Sequence, residues 1–136
     1  IFDLDCFKRL YDDFGHEFGD RVLLITSSIV KEKLANIGYL IRIGGDEFVI
    51  LMVHDNPELL IQDCVNSIKA QIKTQHNAAV FGMSYGIVDA PLEQLGDLER
   101  LYQQADKALY INKQARKSQV QKVPENTIAI NMTKLV

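Results

Sequence analysis

Two adjacent glycines, Gly44 and Gly45, separate two apolar runs and constrain the fold of this chain more than any other feature. Glycine adopts positive φ without strain, so a Gly-Gly pair between apolar runs predicts a tight β-hairpin turn. Two acids, Asp46 and Glu47, follow at once and are held at the tip of the hairpin. Neighbouring carboxylates at such a turn repel each other by roughly 1–4 kcal/mol at about 4 Å. A bound cation would relieve this repulsion; the simpler alternative is an ordinary turn with solvated acids.

Composition restricts the class of protein. The chain has 136 residues, of which 47% are hydrophobic and 24% charged, which is typical of one globular domain with one core. Its net charge of −3 gives no basic field, so we expect no nucleic acid partner. No apolar run approaches about 18 residues and no signal peptide is apparent, so we expect no membrane contact and a cytoplasmic location. Cys6 and Cys64 lack C-x-x-C spacing and are expected to be reduced thiols, with a single bridge as the alternative.

Apolar periodicity predicts the element order β-α-α-β-β-α-β-α, with a closing strand over residues 120–123 as a further element. This order implies an α/β or α+β domain with one mixed sheet and helices packed on it. We expect the domain to cover residues 1–123 and residues 124–136 to form a tail or linker. Because the chain opens within what resembles the second half of a strand, we also expect the natural protein to be longer. Strands are predicted over 1–4, 39–43, 48–53 and 79–88, and helices over 7–14, 19–34, 56–74 and from 97 onward.

A second acidic motif opens the chain. Asp3 follows apolar residues, so its carboxylate is expected where a strand becomes a loop. Mg²⁺ prefers a few oxygen ligands together with substrate phosphates, and one carboxylate with a nearby backbone carbonyl would suit it. One alternative is that Asp3 or Asp5 only caps the next helix. Another is the nucleophilic Asp-x-Asp of haloacid-dehalogenase-type phosphatases, which is usually followed by x-Thr or x-Val, whereas Phe7 stands there in this chain.

Five motifs in a consistent order make the chain resemble the GGDEF domain, the family of diguanylate cyclases, from Phe2 to about Val123. The resemblance implies the palm-like fold of nucleotide cyclases, with a central sheet flanked by helices. It also implies that two GTP molecules, one on each subunit of an antiparallel homodimer, condense to cyclic di-GMP. Fused sensor or effector domains outside this sequence are a further implication. The motifs are Asp3-Leu4-Asp5-x-Phe7-Lys8, Gly15-His16-x-x-Gly19-Asp20-x-x-Leu23, Arg42-x-Gly44-Gly45-Asp46-Glu47-Phe48, Ser84-x-Gly86-Ile87 and Ala105-Asp106-x-Ala108-Leu109-Tyr110-x-x-Lys113.

The resemblance also implies a metal site. Asp3 and Asp46 match the carboxylates that bind Mg²⁺ or Mn²⁺, and the carbonyl of Leu4 matches the main-chain ligand. Glu47 matches the acid that binds metal or helps to deprotonate the 3′-hydroxyl. The expected catalytic residues are Asp46, Glu47 and Lys8.

The substrate contacts implied by the resemblance lie on three segments. Phe7 and Lys8 match the loop whose backbone amides cradle the β- and γ-phosphates. Lys8 and Lys113 match cationic phosphate contacts, which Lys makes as a point charge. Asp20 matches the acid that reads guanine by accepting from its N1 and its exocyclic amine.

Three parts of the chain depart from the family pattern. Tyr11 replaces an Asn that faces guanine, and its ring would either stack on the base or fill the pocket, unless the loop shifts and Asp20 suffices. Lys117 replaces an Arg and loses bidentate phosphate contact, for which Arg116 is a candidate substitute one position earlier. Residues 35–38 lack both charges of the Arg-x-x-Asp product site, so we expect no feedback inhibition there.

The sequence therefore favours an active diguanylate cyclase. The alternative is a catalytically degenerate GGDEF domain that binds GTP and regulates a fused or partner domain, for example a cyclic di-GMP phosphodiesterase. A third interpretation is a cyclase with altered base selectivity, against which the intact Asp20 argues.

Overall fold

The computed structural model of the chain describes residues 1–77, 79–91, 93 and 96–120. The order of elements within these residues is the predicted one. Helix α2 begins at His16 rather than Gly19, and β4 is shorter than the predicted strand over 79–88. Helix α4 continues to Val120, where a closing strand was expected; residues 121–123 and the expected tail lie outside the described residues. The elements are β1 (Phe2–Asp5), α1 (Phe7–Phe14), α2 (His16–Lys33), β2 (Gly38–Gly44), β3 (Glu47–Met52), α3 (Pro57–Gln75), β4 (Gly82–Tyr85) and α4 (Leu98–Val120).

The four strands form one sheet in the order β2-β3-β1-β4. Among the described residues, every strand pairing is antiparallel, so the predicted α+β class is confirmed but the expected mixed sheet is corrected. The reason is that β3 returns from the hairpin and lies between β1 and β2. Strands that run in the same direction, β1 with β2 and β3 with β4, are therefore never neighbours in the described sheet.

The two faces of β1 and β3 have different chemistry, because side chains alternate along a strand. Phe2 and Phe48 are register partners, and their rings stack 4.9 Å apart with 1% and 0% exposure. Together with Leu4 they belong to the core formed with α1, α2 and α3. The intervening acids of β1 lie on the opposite face, against which α4 packs at β1 and β4.

Local sequence signals position the helices. The Asn56 side chain accepts from the backbone N–H of Leu59 at 3.3 Å, which confirms the predicted cap of α3. Asp97 likewise accepts from the N–H of Arg100 at 3.1 Å at the start of α4. Gly86 lies so close to α4 that an added Cβ would collide with the Ala105 carbonyl and the Leu109 amide. Glycine is therefore required where the chain leaves β4.

Two further expectations concern the cysteines and the membrane. Cys6 is exposed, Cys64 is buried, and both are free thiols, as predicted. No helix in the described part of the chain combines the length and the apolar character needed to cross a bilayer.

The stacked pair in the core generates a stability prediction. Phe48→Ala should lower the free energy of unfolding by about 3–5 kcal/mol, because it removes a fully buried ring from a packed core. Urea denaturation measures this change. Tyr39→Ala is the matched control, since this ring is 76% exposed on β2, and it should cost about 1 kcal/mol or less. Equal losses in the two variants would contradict the assigned core.

Candidate functional site

The register of β1 against β3 brings the two acidic motifs together. Asp3 and Glu47 are partners in this antiparallel pair. Directly opposite residues carry their Cβ atoms on the same face, about 4.5–5.5 Å apart. The backbone N–H of Leu4 also donates to the carbonyl of Asp46 at 3.2 Å, which holds the turn against β1. The strand-end aspartate and the turn acids therefore lie side by side.

Asp3 is the most constrained of these acids. Nζ of Lys113 on α4 lies 2.8 Å from Oδ2 of Asp3. The Asp3 side chain is 18% exposed and the Lys113 side chain is 32% exposed. Burial raises the pKa of the Asp3 carboxyl; the charges of Asp46 and Asp5 act in the same direction, whereas Lys113 lowers it. Negative charge is thus concentrated where water is partly excluded, which favours a cation beside Asp3.

The acids at the β1–β3 contact are candidate ligands for a metal ion. Within the described ranges, no three or more His, Cys, Asp and Glu side chains are grouped so as to hold a metal. Mg²⁺ commonly binds through one or two carboxylates and completes its shell with waters and substrate phosphates. Asp3 and Glu47 are opposite each other in the β1–β3 register, with Asp46 adjacent, and can supply this smaller number of carboxylates. The residues present therefore fit Mg²⁺ or Mn²⁺.

Arg42 holds the glycine turn, a role that the sequence analysis did not assign. Its Nε and Nη2 donate to the carbonyl of Gly45 at 2.9 and 2.6 Å. Gly45 has a φ of +37°, and the β2–β3 register shifts between Arg42 and Gly44. An arginine two residues before a Gly-Gly turn was the available signal for this contact.

The entrance to α1 lies beside the turn. Cys6 adopts the left-handed conformation with a φ of 56°, and its side chain makes no capping hydrogen bond. Cys6, not Asp3 or Asp5, therefore occupies the cap position, so the helix-cap interpretation of these acids is wrong. This sharp bend buries Phe7 and leaves Lys8 exposed. A pocket of about 560 Å³ opens there, lined by Phe7, Lys8, Tyr11, Asp12, His16, Arg42, Gly45 and Asp46.

Tyr11 and Asp20 are bonded to each other. The Tyr11 hydroxyl donates to Oδ1 of Asp20 at 2.7 Å, which joins α1 to α2. This hydrogen bond raises the pKa of Tyr11. The Tyr11 hydroxyl therefore contacts Asp20, the residue expected to bind guanine. Neither sequence interpretation of Tyr11 had included this contact.

The cations of α4 have unequal roles. Lys113 reaches Asp3, whereas Lys117 is exposed one turn further along the helix. Arg116 donates from Nη1 to Asp5 at 2.8 Å and to the carbonyl of Met83, so its guanidinium is committed to the sheet. The sequence analysis did not include this contact, and a phosphate contact from the remaining donors of Arg116, which is 43% exposed, stays a prediction. Asp5 is an anchor for α4, and it also accepts from the Ser84 hydroxyl at 2.5 Å.

Comparison with known proteins identifies this arrangement. The family described as diguanylate cyclase, GGDEF domain, matches residues 1–119. The chain belongs to the GGDEF family. Among curated relatives of this GGDEF domain, the diguanylate cyclase DgcS of Shewanella oneidensis is 36% identical over 110 residues, which are 81% of this chain and 36% of DgcS. The diguanylate cyclase DosC of Escherichia coli is 33% identical over 124 residues, 89% of this chain and 27% of DosC.

Solved GGDEF structures share the fold. A sensory box/GGDEF family protein from Caulobacter crescentus superposes with a TM-score of 0.60 at 27% identity, covering 84% of this chain and 76% of that protein. The GGDEF domain of DgcB from the same organism, solved with c-di-GMP, gives a TM-score of 0.63 at 23% identity over 84% of this chain and 70% of its own. The chain spans about a third or less of the curated relatives above, namely 36% of DgcS and 27% of DosC.

The anchoring role of Arg116 is testable. Arg116→Ala should lower the free energy of unfolding by about 1–2 kcal/mol, because two charge-assisted hydrogen bonds are lost from a side chain that is 43% exposed. Lys117→Ala is the neighbouring control and should stay within about 0.5 kcal/mol, since Lys117 is exposed. Urea titrations of the two variants decide the matter. A loss confined to Lys117→Ala would reverse the assignment.

Proposed function

We propose that this GGDEF domain condenses two GTP molecules into cyclic di-GMP and two pyrophosphates. Each 3′-hydroxyl oxygen bonds to the α-phosphorus of the other GTP, the bond from that phosphorus to pyrophosphate breaks, and the hydroxyl proton passes to a base. The observation that carries the proposal is the pairing of Asp3 with Glu47, directly beside Asp46, in a member of the diguanylate cyclase family. Relatives such as DgcS and DosC are named diguanylate cyclases.

The acids divide between metal binding and proton transfer. One or two of the carboxylates of Asp3, Asp46 and Glu47, with the carbonyl of Leu4, would hold each Mg²⁺ or Mn²⁺ ion. When bound, the metal neutralises triphosphate charge and makes the 3′-hydroxyl a better nucleophile. Glu47 begins β3 directly after the hairpin turn, where its carboxylate is suited to accept the hydroxyl proton.

The phosphates are held by α1 and α4. The backbone amides of Phe7 and Lys8 open α1, and the start of a helix attracts anions. The side chains of Lys8 and Lys113 contribute point charges, with Lys113 shared between the phosphates and Asp3. Exposed Lys117 supplies a weaker outer contact than the Arg of the family pattern.

The base and the second substrate complete the site. Asp20 accepts from guanine, which presents donors at N1 and at its exocyclic amine, whereas adenine presents a different pattern. Because cyclic di-GMP contains two equivalent phosphodiester bonds, a two-fold homodimer with one GTP on each protomer suits the reaction.

Loss of a turn acid tests the cyclase proposal. Asp46→Asn should lower cyclic di-GMP formation from Mg²⁺·GTP at least about 100-fold, because it removes one charge from the acid cluster that stabilises the reacting phosphates. Product is quantified chromatographically with the protein in its natural full-length context.

Asp55→Asn is the control for that experiment, since Asp55 is an exposed acid in the loop between β3 and α3. It should retain full turnover. A wild type that makes no product, or an Asp46→Asn variant as active as Asp55→Asn, refutes catalysis at this site.

A second function is favoured by one observation, the hydrogen bond from Tyr11 to Asp20. A domain whose base-reading acid is occupied by its own side chain could bind GTP without turnover and regulate a fused or partner domain, such as a cyclic di-GMP phosphodiesterase.

Tyr11→Asn separates this regulatory function from the cyclase. If the wild type is inert, restoring the amide should restore cyclic di-GMP formation, because Asn offers both a donor and an acceptor without the bulky ring. The same product assay serves. Brisk turnover by the wild type excludes the regulatory alternative.

A further inference from the structure

Four neighbouring residues hold Tyr11 in place on the side of the pocket where guanine is expected to bind. The centroid of its ring lies 4.7 Å from that of Phe7, in a T-shaped arrangement, and 4.9 Å from that of the His16 ring. It also rests on Gly19, where an added Cβ would come within 2.8 Å of the ring. Its hydroxyl completes the set by donating to Asp20 at 2.7 Å. This is a fitted position rather than a freely rotating surface side chain.

The hydrogen bond competes with recognition of a base. A carboxylate reads guanine best when each oxygen accepts one of two adjacent donors, N1–H and the exocyclic amine. In this protein Oδ1 of Asp20 already accepts from Tyr11, so a guanine donor either displaces the tyrosine hydroxyl or shares Oδ1 with it, and sharing weakens both hydrogen bonds. A tyrosine hydroxyl is protonated at neutral pH in any case, and the bond to Asp20 raises the pKa of Tyr11 further, so the hydroxyl remains a donor.

We propose that Tyr11 is a specificity-determining residue that occupies Asp20 when the site is empty, which weakens GTP binding and blurs the distinction between guanine and hypoxanthine. The proposal rests on the assignment of Asp20 as the base-reading residue under the proposed function. Hypoxanthine keeps N1–H but lacks the exocyclic amine. When Oδ1 is shared with Tyr11, the second guanine donor gains less from Asp20 and the two bases bind more alike, whereas two unshared oxygens favour guanine.

The position of Tyr11 also links the base to the reacting end of the pocket. Besides Asp20, the charges of Arg42 and Asp46 act on its hydroxyl. Both residues line the same pocket, and Arg42 holds the glycine turn. Displacing Tyr11 therefore changes the entrance to the acidic site as well as the base contact.

Equilibrium binding tests the proposal without relying on turnover. Calorimetric titrations with non-reactive α,β-methylene analogues of GTP, inosine triphosphate and ATP are performed on the wild type and on Tyr11→Phe. The Phe variant keeps the ring on Gly19 and removes only the hydroxyl, so the fold is preserved. It should bind the GTP analogue about tenfold more tightly, because one competing hydrogen bond is removed.

The ratio of affinities is the sharper readout. Tyr11→Phe should widen the preference for the GTP analogue over the inosine analogue, whereas Asp20→Asn in the Tyr11→Phe background should abolish the gain. Tyr39→Phe, on an exposed ring outside this pocket, is the matched control and should change neither affinity.

Each outcome has a defined meaning. Unchanged affinity and unchanged base preference in Tyr11→Phe would show that Tyr11 only packs α1 on α2, and the proposal would fall. Failure of every variant to prefer the GTP analogue over the ATP analogue would overturn both this proposal and the assignment of Asp20. Tighter and more selective binding without any cyclic di-GMP formation would support the role of Tyr11 while removing the cyclase function.

Discussion

The antiparallel contact between β1 and β3 is the interaction on which both the core and the candidate site depend. On one face it stacks Phe2 on Phe48, and on the other it sets Asp3 opposite Glu47. Because side chains alternate with a period of two, a slip of one residue would exchange the two faces. The aromatic pair could then no longer be buried, so burial of two rings enforces the register that brings the acids together. Stability and site geometry are therefore coupled through the same few backbone hydrogen bonds.

Helix α4 is attached to the acidic face by two ion pairs with different consequences. Arg116 binds Asp5 and the Met83 carbonyl, and Lys113 binds Asp3. Partly exposed ion pairs contribute modestly to the free energy of unfolding, so their main effect is to fix where α4 lies along β1. The close contact at Gly86 fixes the distance between the helix and the end of β4. Lys113 thereby belongs both to the packing of α4 and to the charge balance of the site.

Two residues with positive φ lie beside the pocket that contains Phe7, Lys8 and Asp46. Cys6 takes a left-handed conformation immediately before Phe7, and Gly45 takes a positive φ within the acidic turn. A non-glycine residue in this region costs of order 1–3 kcal/mol, which the surrounding structure must offset. For Cys6 this cost is offset by burial of the adjacent Phe7, whereas Gly45 adopts its positive φ without strain and is held by the Arg42 hydrogen bonds. The two bends direct α1 and the hairpin tip toward the same pocket.

The sequence by itself determined the eight described elements in their order, the Asn56 cap and the location of acids at a strand end and a hairpin turn, because each depends on periodicity or on residues within a few positions. Only the tertiary structure decided that every pair of described strands is antiparallel, that Arg116 binds Asp5 across 111 positions, and that Tyr11 donates to Asp20. These outcomes depend on which groups come within about 3 Å of each other after folding. That distance is set by the packing of separate elements, so no local pattern encodes it.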